Sequence, residues 1–463
     1  MELLENRQKI INMDIDQVKN SLKSGSISVC VIGIGRIGMP TALSFAKSGL
    51  PTAGVDINKE LVDAVNSGNF PLKDEPGYDV IFKEVISNKK FHATTNIEVA
   101  STSDVILLSL PTPMNEQNIP DYSALRLVGE QLNKLMMPGS LLIVESTIEP
   151  GFIENEFIKI IEGEDKRLIV GNNIGVGVCP ETANPGEILS DFEKLPRLVA
   201  STNEKTTNMI YEIYKHVFPV DLIKMPNCKT ANAVKLTTNV FRDINIAFVN
   251  ELAILFEKLG IDIFQVLDAA KTKYNFQVHY PGAGVGGPCL PVNSYQMLNT
   301  GKKTGTNLLR IIKASREINE HMPEHVIELT KDAFNESNKS LDQSTVLILG
   351  VSYKPNVKDI QLTPAEAIVS KLRHIGTHIK IYDPHFVSQE LFGIKSESNL
   401  LDAISQSDAV IIVTAHKEFL DIEPSFFASK LKSAIVIDAR GVLDMYSAKK
   451  AGIIFRGVGR GNF

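Results

Sequence analysis

Gly33-Ile-Gly35-Arg-Ile-Gly38 restricts this chain more than any other segment, because of what surrounds it. Residues 27–32 form a short apolar run that reads as a strand, and residues 40–48 carry a helical pattern. A second apolar run ends at Asp56, about twenty residues further on. Strand, glycine turn, helix and strand make a β-α-β unit. In such a unit the first glycine permits the tight turn and the second lets the backbone approach a pyrophosphate. The third lets the helix pack on the strand, and the helix N-terminus faces the phosphates. Asp56 is placed to accept hydrogen bonds from a ribose and to repel a 2′-phosphate, which favours NAD over NADP. A glycine turn that serves packing alone is the alternative. The expected cofactor residues are Gly33, Gly35, Arg36, Ile37, Gly38 and Asp56. Pro111 and Thr112 join them after the strand-like run 105–110, as do Ser146 and Thr147 after the run 140–144, because parallel sheets place ligands at the carboxyl ends of their strands. Each of these two loops could equally be a plain turn.

The same alternation continues through the run 174–178, then stops near residue 228. Residues 230–259 contain neither proline nor glycine and read as one helix, roughly 45 Å long at 1.5 Å per residue. That exceeds what one domain needs and suits a spine between two. Helical patterning resumes over 295–334, and the polar stretch 335–340 reads as a linker. Beyond it, runs at 345–349, 378–382, 409–413 and 434–437 are candidate buried strands. The expected fold is α/β: two Rossmann-like doubly wound parallel-sheet domains joined by a long central helix and helical domain. The expected divisions are a polar helical N-terminal extension (1–25), a nucleotide-binding domain (26–215), a central helical domain (216–335) and a C-terminal α/β domain (341–463).

With 463 residues, 43% hydrophobic and 22% charged, the chain has an ordinary globular composition. A net charge of −6 without any Lys/Arg-rich run argues against nucleic acid as a partner. The first residues are too polar for a signal peptide, and no apolar run reaches the roughly 18–20 residues that span a bilayer. Four widely spaced cysteines, at 30, 179, 228 and 289, fit reduced thiols in the cytoplasm better than disulfides or a metal site. No metal and no membrane contact are expected.

Cys289 ends the segment Pro281-Gly-Ala-Gly-Val-Gly-Gly-Pro-Cys289. A thiol delivered by a glycine-rich loop, in a chain built for a nicotinamide cofactor, points to covalent redox chemistry. A simple alcohol oxidation needs no nucleophile. Oxidation through an aldehyde to an acid does, because the aldehyde must become a tetrahedral adduct before it yields a second hydride. The bland reading of an isolated cysteine is a small buried hydrophobe. Lys235 and Asn239, four apart on the long helix, share a face where they can stabilise a developing oxyanion. A solvated pair is the alternative. Glu181 follows the run 174–178 and is placed to activate water, or is an exposed turn carboxylate.

Together these motifs resemble the UDP-glucose/GDP-mannose dehydrogenase family, the nucleotide-sugar 6-dehydrogenases, over residues 27–445. The resemblance rests on Gly33–Gly38 with Asp56, Leu110-Pro-Thr-Pro113, Glu145-Ser-Thr147, Cys179-Pro-Glu181, Lys235-Leu-Thr-Thr-Asn239, Asn250-Glu251, Gly286-Gly-Pro-Cys289 and Gly350-Val-Ser-Tyr-Lys354-Pro-Asn356. It implies an NAD-dependent four-electron oxidation of a UDP-sugar. Cys289 captures the C6 aldehyde, Lys235 and Asn239 hold the oxyanion, and Glu181 assists hydrolysis of the thioester. Thr147 positions water or substrate. It also implies that His279, the loop glycines Gly282, Gly284, Gly286 and Gly287, and Tyr353 and Lys354 of a UDP-binding C-terminal domain contact the sugar nucleotide. Glu181, Lys235 and Asn239 contact it as well. Assembly as a homodimer or larger through the long helix is implied in the same way.

Three departures qualify the resemblance. Asn293 stands where the family has Asp, Gln361 where it commonly has Arg, and Pro185 where UDP-glucose enzymes often carry a second Glu. The Pro185-Gly186 form, with His279-Tyr-Pro-Gly-Ala-Gly-Val-Gly-Gly287, is similar to the branch acting on UDP-N-acetylmannosamine or UDP-N-acetylglucosamine. UDP-glucose stays open as a substrate. A two-electron β-hydroxyacid dehydrogenase and a non-catalytic sugar-nucleotide binder are the competing readings.

Overall fold

The computed structural model describes residues 9–461, so the first eight residues of the expected extension lie outside the described part. The chain divides into two compact units. One comprises Met1–Thr238 with Tyr295–Thr300, the other Asn239–Ser294 with Gly301–Phe463.

The first unit is built on an eight-stranded sheet: β1 (Val29–Ile32), β2 (Thr52–Val55), β3 (Phe91–Thr94), β4 (Val105–Leu108), β5 (Leu141–Val144), β6 (Gly175–Val178), β7 (Arg197–Ser201) and β8 (Leu222–Lys224). Their order is β3-β2-β1-β4-β5-β6-β7-β8. The central strands read as unbroken apolar runs because both faces are covered. Every residue of β1, β4, β5 and β6 is buried. The sheet departs from the all-parallel expectation at one place, where β7 pairs antiparallel to β6. The segment after β6 returns beside its own strand, which an antiparallel neighbour permits without a full crossover.

Four helices of this unit bear on the site: α1 (Ile15–Lys23), α2 (Gly38–Lys47), α3 (Glu204–Val217) and the start of α4 (Cys228–Lys258). The helix α1 opens with a reciprocal capping box between Asp14 and Gln17. Although its sequence reads as a polar extension, Ile10, Ile11, Met13, Val18 and Leu22 are buried in the same core as β1 and α3. Lys205 Nζ ties it down by donating to the Ile11 carbonyl at 2.7 Å.

The second unit holds the rest of α4, together with α5 (Leu290–Lys303, apart from its middle turn) and α6 (Arg310–Glu336). The expected helical region 295–334 is thus two helices parted by a turn, and the second passes through Pro323 without ending. The linker is shorter than expected, since α6 runs into it. A five-stranded parallel sheet comes next: β9 (Thr345–Leu349), β10 (His378–Tyr382), β11 (Ala409–Ile412), β12 (Ile435–Asp438) and β13 (Ile454–Gly457), in the order β10-β9-β11-β12-β13. Its core continues onto Val249, Ala253, Met322 and Val326 of α4 and α6.

Candidate active site

At the carboxyl end of β1 the three fingerprint glycines have three different surroundings. Gly33 has φ +88°, and a Cβ there would lie 2.5 Å from the Ser109 carbonyl oxygen. A Cβ on Gly38 would lie 1.8 Å from the Gly33 oxygen, whereas one on Gly35 would meet nothing within 4 Å. Gly35 is therefore the open floor that a pyrophosphate needs, at the start of α2. Asp56 stands at the end of β2, its Oδ2 accepting the Ile34 N–H at 3.0 Å and its Oδ1 that of Asn58 at 2.9 Å. Ile57 beside it is 98% exposed, an apolar surface where an adenine ring can rest. These residues fit a dinucleotide. Ile37 is half-buried against the core. Arg36 is turned onto two carboxylates, Asp74 at 2.9 Å and Glu75 at 3.1 Å.

The next loops along the same edge are laced together. Ser146 Oγ donates to the Leu110 carbonyl and accepts the Leu110 N–H, both at 2.9 Å. Thr112 Oγ1 donates to the Thr147 carbonyl at 2.8 Å, and Gln296 Nε2 donates to the same oxygen at 3.1 Å. Pro111 is exposed beside them. Glu181, after β6, is buried rather than an exposed turn residue. Its Oε1 accepts the backbone N–H of Thr182 and Ala183 at 2.6 and 2.7 Å, and its Oε2 pairs with Arg197 at 2.9 Å. Lys235 on α4 is buried as well, unlike a solvated surface lysine.

In the second unit Cys289 immediately precedes α5 and is exposed, so it is no core residue. The other three cysteines are buried, and burial pushes each thiol up to about 12. Cys289 is the one thiol of the four open to chemistry. Asn239 on α4 is buried and donates through Nδ2 to Asn293 Oδ1 at 2.5 Å. An aspartate at 293 would accept the same bond, so the substitution keeps the orientation of Asn239. The glycine loop approaches its own unit closely. A Cβ on Gly284 would lie 2.9 Å from the Asn319 carbonyl, on Gly286 2.4 Å from that of Leu362, and on Gly287 2.6 Å from the Tyr353 ring. The Gly287 N–H also donates to the Gln361 carbonyl at 2.9 Å, while the Gln361 amide is turned back onto Asp359. Lys354 is half-buried next to Tyr353. His279 is half-buried edge-to-face with Phe241, and burial lowers its pKa.

The second sheet repeats the corner of the first. The Gly350 N–H donates to the Tyr382 carbonyl as Gly33 does to Val55, at 2.9 and 2.8 Å. Asp383, ending β10, accepts the Val351 and His385 N–H as Asp56 accepts those of Ile34 and Asn58. Here the corner is filled, because His416 Nε2 lies 3.0 Å from Asp383 Oδ2 and both side chains are fully buried. Burial raises the Asp383 carboxyl, but its hydrogen bonds outweigh that and hold it at about 2.

One residue of this unit was missed in the sequence. Arg440, two residues beyond β12, packs its guanidinium against Gly282, where a Cβ would meet Nη1 at 2.2 Å. Among the described residues that guanidinium donates no hydrogen bond, and burial lowers its pKa. A cation held this way is ready for an anion. Its position after a strand's carboxyl end was the only clue available in the sequence.

A dinucleotide corner, an exposed thiol at a helix start and a second nucleotide-type sheet define a nicotinamide-dependent dehydrogenase. Residues 27–218, 229–321 and 347–445 match the NAD binding, central and UDP binding domains of the UDP-glucose/GDP-mannose dehydrogenase family, and the chain belongs to that family. It is an NAD-dependent nucleotide-sugar dehydrogenase. It is 32% identical to the UDP-N-acetyl-D-mannosamine dehydrogenase of Pyrococcus horikoshii over 94% of this chain and 99% of that one. The corresponding enzyme of Campylobacter jejuni is 31% identical over 85% and 97%. The solved structure of the Pyrococcus protein superimposes with a TM-score of 0.87, covering 94% of this chain and all of that one, at 31% identity. Among the described residues no helix is long and apolar enough to cross a membrane.

Proposed function

We propose that this enzyme oxidises the C6 alcohol of UDP-N-acetyl-D-mannosamine to the acid in two steps, through a covalent adduct on Cys289. NAD bound at Gly33–Gly38 and Asp56 supplies the hydride acceptor for each step. Cys289 adds its sulfur to the C6 aldehyde, and Lys235 and Asn239 stabilise the oxygen as charge builds on it. After the second oxidation Glu181 takes a proton from the water that attacks the thioester. One sugar, two NAD and one water give one carboxylate, two NADH and three protons. Tyr353, Lys354 and the unpaired Arg440 hold the diphosphate and sugar, with His279 and the glycine loop beside them.

The exposed thiol, alone among four cysteines, carries this reading, and the substrate for which the relatives are named supports the choice of sugar. We retain three domains as the working division, supported by the two sheets and the helices that separate them in sequence. Self-association through α4 is supported by Phe241, Phe248 and Leu255, each about half exposed at 47, 48 and 49% and seven residues apart. Reduced cysteines support a cytoplasmic setting.

The test is the NADH yield from UDP-N-acetylmannosamine, UDP-N-acetylglucosamine and UDP-glucose. Two NADH per sugar, fastest with the first, is expected. Cys289→Ala should stop acid formation while NAD binding persists. One NADH per sugar makes the chain a two-electron dehydrogenase, and acid made at the normal rate by Cys289→Ala removes the thiol from the mechanism.

A further inference from the structure

Behind Glu181 the first unit carries a charge cluster to which the oxidation assigns no role. Glu145, the residue after β5, is 1% exposed. Tyr214 of α3 donates to its Oε1 at 2.6 Å, while its Oε2 completes no hydrogen bond. The Thr41 hydroxyl of α2 lies close enough to act on this carboxyl, yet it too completes no bond of good geometry. Arg197, from β7, is sandwiched between Phe192 and Phe218, its guanidinium carbon 4.2 and 3.8 Å from the ring centroids. Its Nη1 bonds Glu181 and its Nη2 is unpartnered. Cys179 and Tyr78 also face the cluster, and burial keeps their protons on, as it does for Tyr214. One enclosed guanidinium thus bonds Glu181 and attracts Glu145 through space, and three buried polar atoms lack partners. Such atoms mark a place where a proton or a water is taken up.

The two carboxylates differ in kind. Three donors engage Glu181: the N–H groups of Thr182 and Ala183, and the Arg197 guanidinium. Glu145 has one donor. Burial, and then the negative charge of Glu181, push its carboxyl up to about 7 against the pull of Arg197 and Tyr214.

We propose that Glu145 is a positioning residue for Glu181: by holding or releasing one buried proton it sets how completely Arg197 neutralises the Glu181 carboxylate. With Glu145 protonated, Arg197 is committed to Glu181. With Glu145 ionised, Arg197 serves two anions and Glu181 is freer to take the proton of the attacking water. The inference rests on Glu181 being the base.

The test is kcat for acid formation between about pH 6 and pH 8.5, for wild type, Glu145→Gln and Tyr214→Phe. Wild-type kcat should rise with pH through neutrality. Glu145→Gln, a permanent mimic of the protonated acid, should match wild type near pH 6 and fall on the order of tenfold below it at the alkaline end. Its NAD affinity should be unchanged. Tyr214→Phe removes a bond that favours the ionised form, so the rise should move to higher pH. A Glu145→Gln profile that superimposes on wild type, or lies below it by one factor at every pH, overturns the proposal. Should that variant not fold, an unmoved limb in Tyr214→Phe overturns it equally. Acid formation that survives Glu181→Gln removes the base itself, and this inference with it.

Discussion

A single methyl group separates the jobs of the three fingerprint glycines. Gly33→Ala and Gly38→Ala each drive a Cβ into a backbone oxygen that cannot retreat. We expect Gly38→Ala to cost about 3 kcal/mol or more, seen as a lower Tm without cofactor. Gly35→Ala should leave that Tm within about 0.5 kcal/mol of wild type, yet weaken NAD by tenfold or more in a fluorescence titration. Equal NAD affinity would mean that no phosphate passes over residue 35. At this scale the sequence spoke clearly wherever spacing carries the chemistry: Gly33 to Gly38 with Asp56, and Cys289 after its glycines. It was silent on what engages each side chain. The bond from Arg197 to Glu181, and the lone guanidinium of Arg440 against Gly282, depend on neighbours that only folding assembles.

Among the elements, α1 was least legible. Nine residues with two buried apolar side chains, Val18 and Leu22, carry too short a period to reveal a docking face, and the preceding Ile10, Ile11 and Met13 fall outside any helix pattern. At roughly 1.5–3 kcal/mol for each fully buried large side chain, removing residues 1–25 should cost several kcal/mol. Thermal unfolding of the truncated chain should show it. An unchanged Tm would make the segment dispensable. Strands β1, β4, β5, β9 and β11 were visible as apolar runs because both faces are covered, and the unbroken helix of α4 because nothing in it stops a helix. The edge strands β3, β8 and β13 were not, being short and partly half-buried, and neither was β7, whose buried apolar stretch is only Leu198–Ala200 between Arg197 and Ser201. The glycine loop announced a close approach. Its nearest partners proved to be Asn319, Leu362 and Tyr353 of its own unit, remote in sequence and therefore unreadable.

On the scale of the whole molecule, the apolar stripe on α4 predicts association. Phe248→Glu should convert a dimer or larger species to monomer in sedimentation velocity, with the Tm of the monomer close to that expected from dilution alone. A wild type that is monomeric at micromolar concentration would refute the stripe as an interface. The repeated corner has a different consequence. In one sheet the glycine turn opens directly into a helix and its acid is half-buried. In the other the acid is sealed by an imidazole, and no helix starts until Pro364. The second corner cannot seat a dinucleotide in the manner of the first, which leaves one dinucleotide corner among the described residues. On the two-step route proposed above, spent coenzyme would depart and a fresh molecule arrive midway through each cycle, and tethering the sugar to sulfur through that exchange would hold back the free aldehyde.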